Sequence, residues 1–129
     1  MRLLITANQA PFISGGDEAH VQALVQALER HGHAVELVRF LFRFDSPHAT
    51  QSLMRYCEQQ HLDAPNGQSV DRVISLQFPG YGVQHPHHVV WLLHQHRAVY
   101  ELYDEARADA DQQQLARSIH AYDNRVLPR

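Results

Sequence analysis

The sequence predicts a three-layer α/β/α domain on an open, parallel, Rossmann-like sheet, and three observations carry that prediction. Leu3-Leu4-Ile5-Thr6-Ala7 is an apolar run that passes through a glycine turn into a segment of helical period. Residues 2 to 40 read as strand, helix and strand, a crossover that makes its two strands parallel with a right-handed connection. Two later apolar runs, Val73 to Phe78 and Val89 to Leu93, continue the alternation, which calls for helices on both faces of one sheet.

The first strand, Leu3 to Ala7, is followed by Ser14-Gly15-Gly16-Asp17-Glu18-Ala19-His20-Val21. Gly15 and Gly16 can take backbone angles closed to other residues and leave no side chain between main chain and ligand. Free N–H groups at the start of the next helix point into the same space and suit a phosphate or other anion. Asp17 and Glu18 suit the positive end of the helix dipole and need no further explanation. That helix is predicted from Asp17 to His31, because Val21, Leu24, Val25 and Leu28 fall at i, i+3, i+4 and i+7. Gly32 is placed to end it in a left-handed cap.

Ala34 to Phe40 is the second strand, and Asp45-Ser46-Pro47 breaks the pattern after it. Residues 48 to 61, with Leu53, Met54 and Cys57 at helical spacing, form the second helix, and Asp63 to Gly67 a loop. Val73 to Phe78 is the third strand, followed by a loop, Pro79 to Pro86, that holds two glycines and two prolines. Val89 to Leu93 is a continuous apolar run, as expected of a parallel strand covered on both faces. Ala98 to Asn124 is helical in composition, with a break near Asp104. Trp91, Tyr100 and Tyr103 are spaced for core packing.

Composition narrows the function classes. The 129 residues, 44% of them hydrophobic, suffice for one domain with a real core. No apolar run approaches the roughly 18 residues of a membrane span, and the N-terminus enters a strand at once, so the expected location is the cytoplasm. Cys57 is the only cysteine, which excludes an internal disulfide and a cysteine-rich zinc site and leaves it a packing role. All 11 basic residues are arginine, so phosphate-loop, Schiff-base and general-base lysines are excluded. Arginines scattered on a net charge of −3 make no basic stripe and argue against nucleic-acid binding. The 11 histidines predict a strong dependence of solubility on pH near their titration range, about 6 to 7.

With strands ordered second, first, third, fourth, the sheet reverses direction between the first and third. A ligand crevice forms outside the carboxyl ends of strands at such a point. Asn8 to Gly16, Pro79 to Pro86 and His94-Gln95-His96-Arg97 meet there. Neutral imidazoles at His85, His87, His88, His94 and His96 would suit zinc, copper or nickel, but no carboxylate or cysteine nearby in sequence completes a set. Surface histidines are the expectation, with no metal and no cofactor. Ser14 lacks the surroundings of a nucleophile elbow, and no Gly-x-Gly-x-x-Gly dinucleotide fingerprint follows the first strand.

Ser14 to Val21, continuing through Ala23-Leu24, Ala27-Leu28 and His31-Gly32-His33-Ala34-Val35, resembles the opening of the N-terminal domain of a GT-B glycosyltransferase of the retaining family 4 type. Trp91-Leu92-Leu93-His94-Gln95-His96-Arg97, followed by Tyr100-Glu101-Leu102, resembles the strand end that carries that family's active-site histidine. The resemblance implies that Gly15 and Gly16 lie against the diphosphate or sugar of a nucleotide-sugar donor. It implies that His94 faces the donor sugar and the acceptor hydroxyl. Arg97 would either add positive charge near a phosphate or start the next helix and pair with a surface carboxylate. Family members have a second Rossmann-like domain that binds the nucleotide, and these 129 residues hold only an incomplete first one. The chain alone is therefore expected not to transfer sugar, but to bind a nucleotide-sugar or sugar phosphate weakly. The alternative is a stand-alone, non-catalytic binding module that keeps the fold. In either case the fourth strand is expected to be a bare edge, covered by a second copy or a partner.

Overall fold

The computed structural model describes residues 1–12, 16–43, 46–92 and 109–128. In chain order these form β1 (Arg2–Gln9), α1 (Gly16–Arg30), β2 (Ala34–Leu41), α2 (Pro47–Glu58), β3 (Arg72–Ser75), β4 (His88–Val90) and α3 (Ala110–Val126). Single 3₁₀ turns at Pro65–Gly67 and Gly80–Gly82 flank β3. The four strands are parallel and ordered β2-β1-β3-β4, so the sheet reverses between β1 and β3 as the sequence predicts. This is an open, Rossmann-like α/β sheet.

β1 lies inside the sheet, and its residues Leu3 to Ala7 are buried without interruption. Its side chains alternate between two cores, as the period of a strand requires. Ile5 and Ala7 pack with Val21 of α1, and Leu24, Val25 and Leu28 close the same cluster. The four-residue stripe read from the sequence is thus the buried face of α1. On the other side Leu4 joins Phe40, Val73 and Cys57, and the cluster beyond it sets Phe42, Met54, Phe78 and Tyr81 against Ala116, Ile119, Tyr122 and Val126. α1 therefore covers one face, and α2 and α3 the other.

Local chemistry sets the helix limits. Gly32 has φ +88°, its N–H reaches the Glu29 carbonyl at 3.0 Å, and the His33 N–H reaches that of Leu28 at 3.2 Å, which closes α1 in a left-handed cap. α2 begins one residue earlier than predicted, since Pro47 occupies the first turn, where a missing N–H costs nothing, and Ser46 Oγ accepts the Ala49 N–H at 3.1 Å. It ends at Glu58 rather than 61. α3 starts with a reciprocal cap between Asp109 and Gln112, at 2.8 and 3.0 Å. The predicted helical residues 98 to 108, the break near Asp104, Tyr100 and Tyr103 lie outside the described residues.

Two strand predictions need correction. β3 stops at Ser75 rather than Phe78, because the Gln77 side chain takes over the next backbone donor: the Asn8 N–H donates to Gln77 Oε1 at 2.7 Å. β4 spans His88–Val90 and has one neighbour among the described strands, so it is the expected edge, but it begins one residue earlier and stops at Val90, and Leu93 lies outside the described residues. It is not covered on both faces: Val89 is 40% exposed, and Trp91, expected in the core, is 49% exposed. Val89 lies on the α1 side of the sheet, and Trp91, just past β4, meets His20 of that helix.

The turn Pro79–Gly82 is held against α3 by two buried phenols. The Tyr122 hydroxyl donates to the Pro79 carbonyl at 2.6 Å, and the Tyr81 hydroxyl donates to Asp123, itself buried in α3. Gly82 sits so close beneath Tyr122 that an added Cβ would fall on the phenol hydroxyl. Gly82→Ala is expected to lower unfolding free energy by about 2–4 kcal/mol in urea titrations, since the aromatic ring has to move and its buried hydrogen bond is lost. Cys57 is fully buried, and burial pushes its thiol up to about 12. It is expected to stay inert to Ellman's reagent at pH 8 until urea unfolds the chain.

Candidate functional site

The reversed strand order puts the ends of β1 and β3, the turns after them and the first turn of α1 on one edge of the sheet. Asn8 stands at the centre of that edge. Its Nδ2 donates to the Phe78 carbonyl at 2.6 Å, which ties the end of β1 to the chain leaving β3. Its Oδ1 is enclosed and has no hydrogen-bond partner among the described residues.

α1 is fixed to the same edge from both sides. Arg39, near the end of β2, holds Glu18 through two hydrogen bonds of 2.6 and 3.0 Å and also donates to the Asn8 carbonyl at 3.3 Å. Gln22 donates to Glu18 at 3.2 Å. The Gln22 hydrogen bond and the Arg39 guanidinium together hold the Glu18 carboxyl below its usual range. Glu18 is thus more than a first-turn acid, since it locks α1 to β2. Two residues on, and so on another side of the helix, His20 meets Trp91 edge to face, with ring centroids 5.2 Å apart. Its Nε2 is enclosed and, like Asn8 Oδ1, has no partner among the described residues.

The loop after β1 contributes Phe12, fully exposed with φ 63°. That left-handed backbone is costly for an aromatic residue. Leu41 at the end of β2 is 60% exposed, so Phe12, Leu41 and Trp91 place apolar surface around the same rim.

Gly16 begins α1 at this edge, where the sequence puts it. Gly15, His94 and Arg97 lie outside the described residues, as do Ser14 and His96. The contact of His20 with Trp91 joins the start of α1 to the chain after β4. Sequence reasoning missed Asn8, Glu18–Arg39 and His20 as a unit, because their partners come from strands far apart in the chain. Glu18 and His20 both lie within the stretch Ser14 to Val21, but nothing local in it points to Arg39 or Trp91.

The histidines after β3 are not simply surface groups. His88 Nε2 lies 2.7 Å from Ser75 Oγ, and Thr6 Oγ1 donates to the same oxygen at 2.7 Å. Ser75 has no exposed surface, so this serine and histidine serve packing and cannot present a nucleophile to a substrate. Among the described residues no three His, Cys, Asp or Glu side chains are arranged to hold a metal ion, and no helix is long and apolar enough to cross a membrane.

Comparison with protein-family models finds no match, and searches of curated proteins and of solved structures find none either. The fold defines an open-sheet α/β domain whose strand order reverses between β1 and β3, the kind of position where such sheets bind ligands.

Because Glu18 titrates below its ordinary 4.5, its contribution to stability is complete above that value and lost as pH falls through the lowered one. Glu18→Gln is expected to cost at most about 1 kcal/mol near neutrality, as an exposed pair allows. The gap between the melting curves of wild type and variant should close on acidification below pH 4.5.

Proposed function

We propose that these residues form a glycosyltransferase-like, acceptor-side binding domain that takes the diphosphate or sugar of a nucleotide-sugar, or a sugar phosphate, at the carboxyl edge. The observation that carries this reading is the position of the unsatisfied groups. The two enclosed side-chain polar atoms without a partner among the described residues, Asn8 Oδ1 and His20 Nε2, both belong to that edge. Enclosed polar atoms are ordinarily paired, so two orphans at a switch point favour a ligand that completes them. Asn8 Oδ1 accepts and suits a sugar hydroxyl. His20 Nε2 donates or accepts according to tautomer and suits a hydroxyl or a phosphate oxygen. The start of α1 supplies main-chain donors and the positive end of a dipole for an anion. Arg39, taken up by Glu18, holds the helix in place rather than binding the phosphate.

In this reading Gly15 and Gly16 approach the diphosphate, and His94 and Arg97 keep the roles that the resemblance implies. The residues present bind; transfer needs a second, nucleotide-holding domain. The single buried cysteine fits a reducing, cytoplasmic setting. A second reading rests on β4: an edge strand with Val89 exposed favours an interaction module whose edge is covered by another copy of the chain.

Titration of the chain with UDP, GDP and a nucleotide-sugar, followed by amide shifts, tests the first reading. Saturable shifts are expected at Asn8, Gly16 and His20, with binding weakened at least about tenfold in Gly16→Val and about fivefold in Asn8→Ala, the loss of roughly one hydrogen bond. No shifts at millimolar ligand, together with dimers in sedimentation that Val89→Lys dissociates, would instead support the interaction module.

A further inference from the structure

A cavity of about 360 Å³ is lined by residues of β4, the segment before the Pro65–Gly67 turn, the chain from Tyr81 to Pro86 and the end of α3. Its volume is that of a site for a small ligand. Val83, Val90, Val126 and Leu127 are its apolar lining. The rest of the lining wall is mainly polar, and its hydrogen-bonding capacity is unevenly spent.

His85 is saturated. Its Nε2–H donates to the Val70 carbonyl at 2.8 Å and its Nδ1 accepts the His87 N–H at 2.9 Å, so it offers the cavity an uncharged ring. His88 Nε2 is committed to Ser75 Oγ. Gln84 spends its amide on the Glu58 carbonyl at 2.7 Å, which leaves Oε1 as an unused acceptor. His61 and Asp63 line the same wall two residues apart, while Leu62 between them packs into the core. Neither the His61 ring nor the Asp63 carboxylate has a partner among the described residues.

The unused groups are therefore mainly acceptors: a carboxylate, an amide oxygen and one imidazole nitrogen. Among the described lining residues, Asp63 is the one carboxylate and there is no arginine. Arg125 is paired with Glu58 at 3.0 Å, and Asp123, bonded to the uncharged Tyr81 hydroxyl, adds to the acidic side of the balance. A free anion would meet repulsion, and a metal ion finds no arranged ligand set. We propose that this cavity binds a small organic cation, an ammonium group on an apolar body: the body against Val90, Val126 and Leu127, the N–H donors toward Asp63, Gln84 and His61. The proposal is independent of the sugar-binding reading, which concerns Asn8 and His20.

The test is amide-shift titration of the full chain with 2-phenylethylammonium, with neutral 2-phenylethanol as the matched control. Saturable shifts are expected at His61, Asp63, Gln84 and Leu127 and not at Asn8 or Gly16. The alcohol should bind more weakly, and Asp63→Asn should weaken the cation alone by about threefold, the worth of one solvent-reachable ion pair. Raised salt should act in the same direction. Equal binding of cation and alcohol, an Asp63→Asn variant with unchanged affinity for the cation, or no saturation at millimolar probe would each overturn the proposal.

Discussion

The burial of β1 on both faces is the constraint on which the rest of the molecule depends. A strand without a solvent side needs a neighbour at each edge and a helical layer on each face. β2 and β3 supply the edges, and α1 on one side with α2 and α3 on the other supply the layers. Because β1 is also the first strand, chain order has to run outward from it in both directions. The reversal of the sheet, and with it the crevice at the carboxyl edge, follows from that placement.

Polar contacts then position what the hydrophobic layers leave adjustable. Glu18 and Arg39 set α1 against β2, Asn8 joins β1 to the turn after β3, and Tyr122 joins that turn to α3. The Glu18–Arg39 pair is exposed and contributes little free energy, whereas the Tyr122 hydrogen bond is buried and contributes more; together these contacts fix the carboxyl edge. Asn8 and His20 are the exceptions within this network, each with an enclosed atom that the protein does not satisfy. The fold pairs its other enclosed side-chain polar atoms, among the described residues, and leaves these two unpaired at the carboxyl edge, which is what the proposed binding reading rests on.

The parallel pairing and the buried stripe of α1 were legible in the sequence because they rest on local periodicity and on the length of a crossover; the strand order entered only as a condition, which the structure meets. Gly32 was legible because a helix end needs a residue that tolerates positive φ. The ends of β3 and β4 were not, since a Val-Ile-Ser-Leu run does not reveal that Gln77 will replace the ladder with its side chain. Trp91 reads as core by composition, yet its exposure depends on how far α1 extends over the edge strand. The partners of Asn8 and Glu18 depend on register between β1, β3 and β2, which single-residue patterns do not encode. Gly16 was legible as part of the turn before a helix predicted from Asp17, and the helix starts one residue earlier, at Gly16 itself, while its ligand is a proposal that rests on the neighbouring orphan atoms.

If the switch point next to β1 is the binding edge of this domain, a crystal of the chain soaked with UDP should show density for the diphosphate against the first turn of α1, with Asn8 Oδ1 and His20 Nε2 within hydrogen-bonding distance of the ligand. Density confined to another surface, or an unchanged carboxyl edge in which Asn8 and His20 are bonded to ordered water alone, would contradict it.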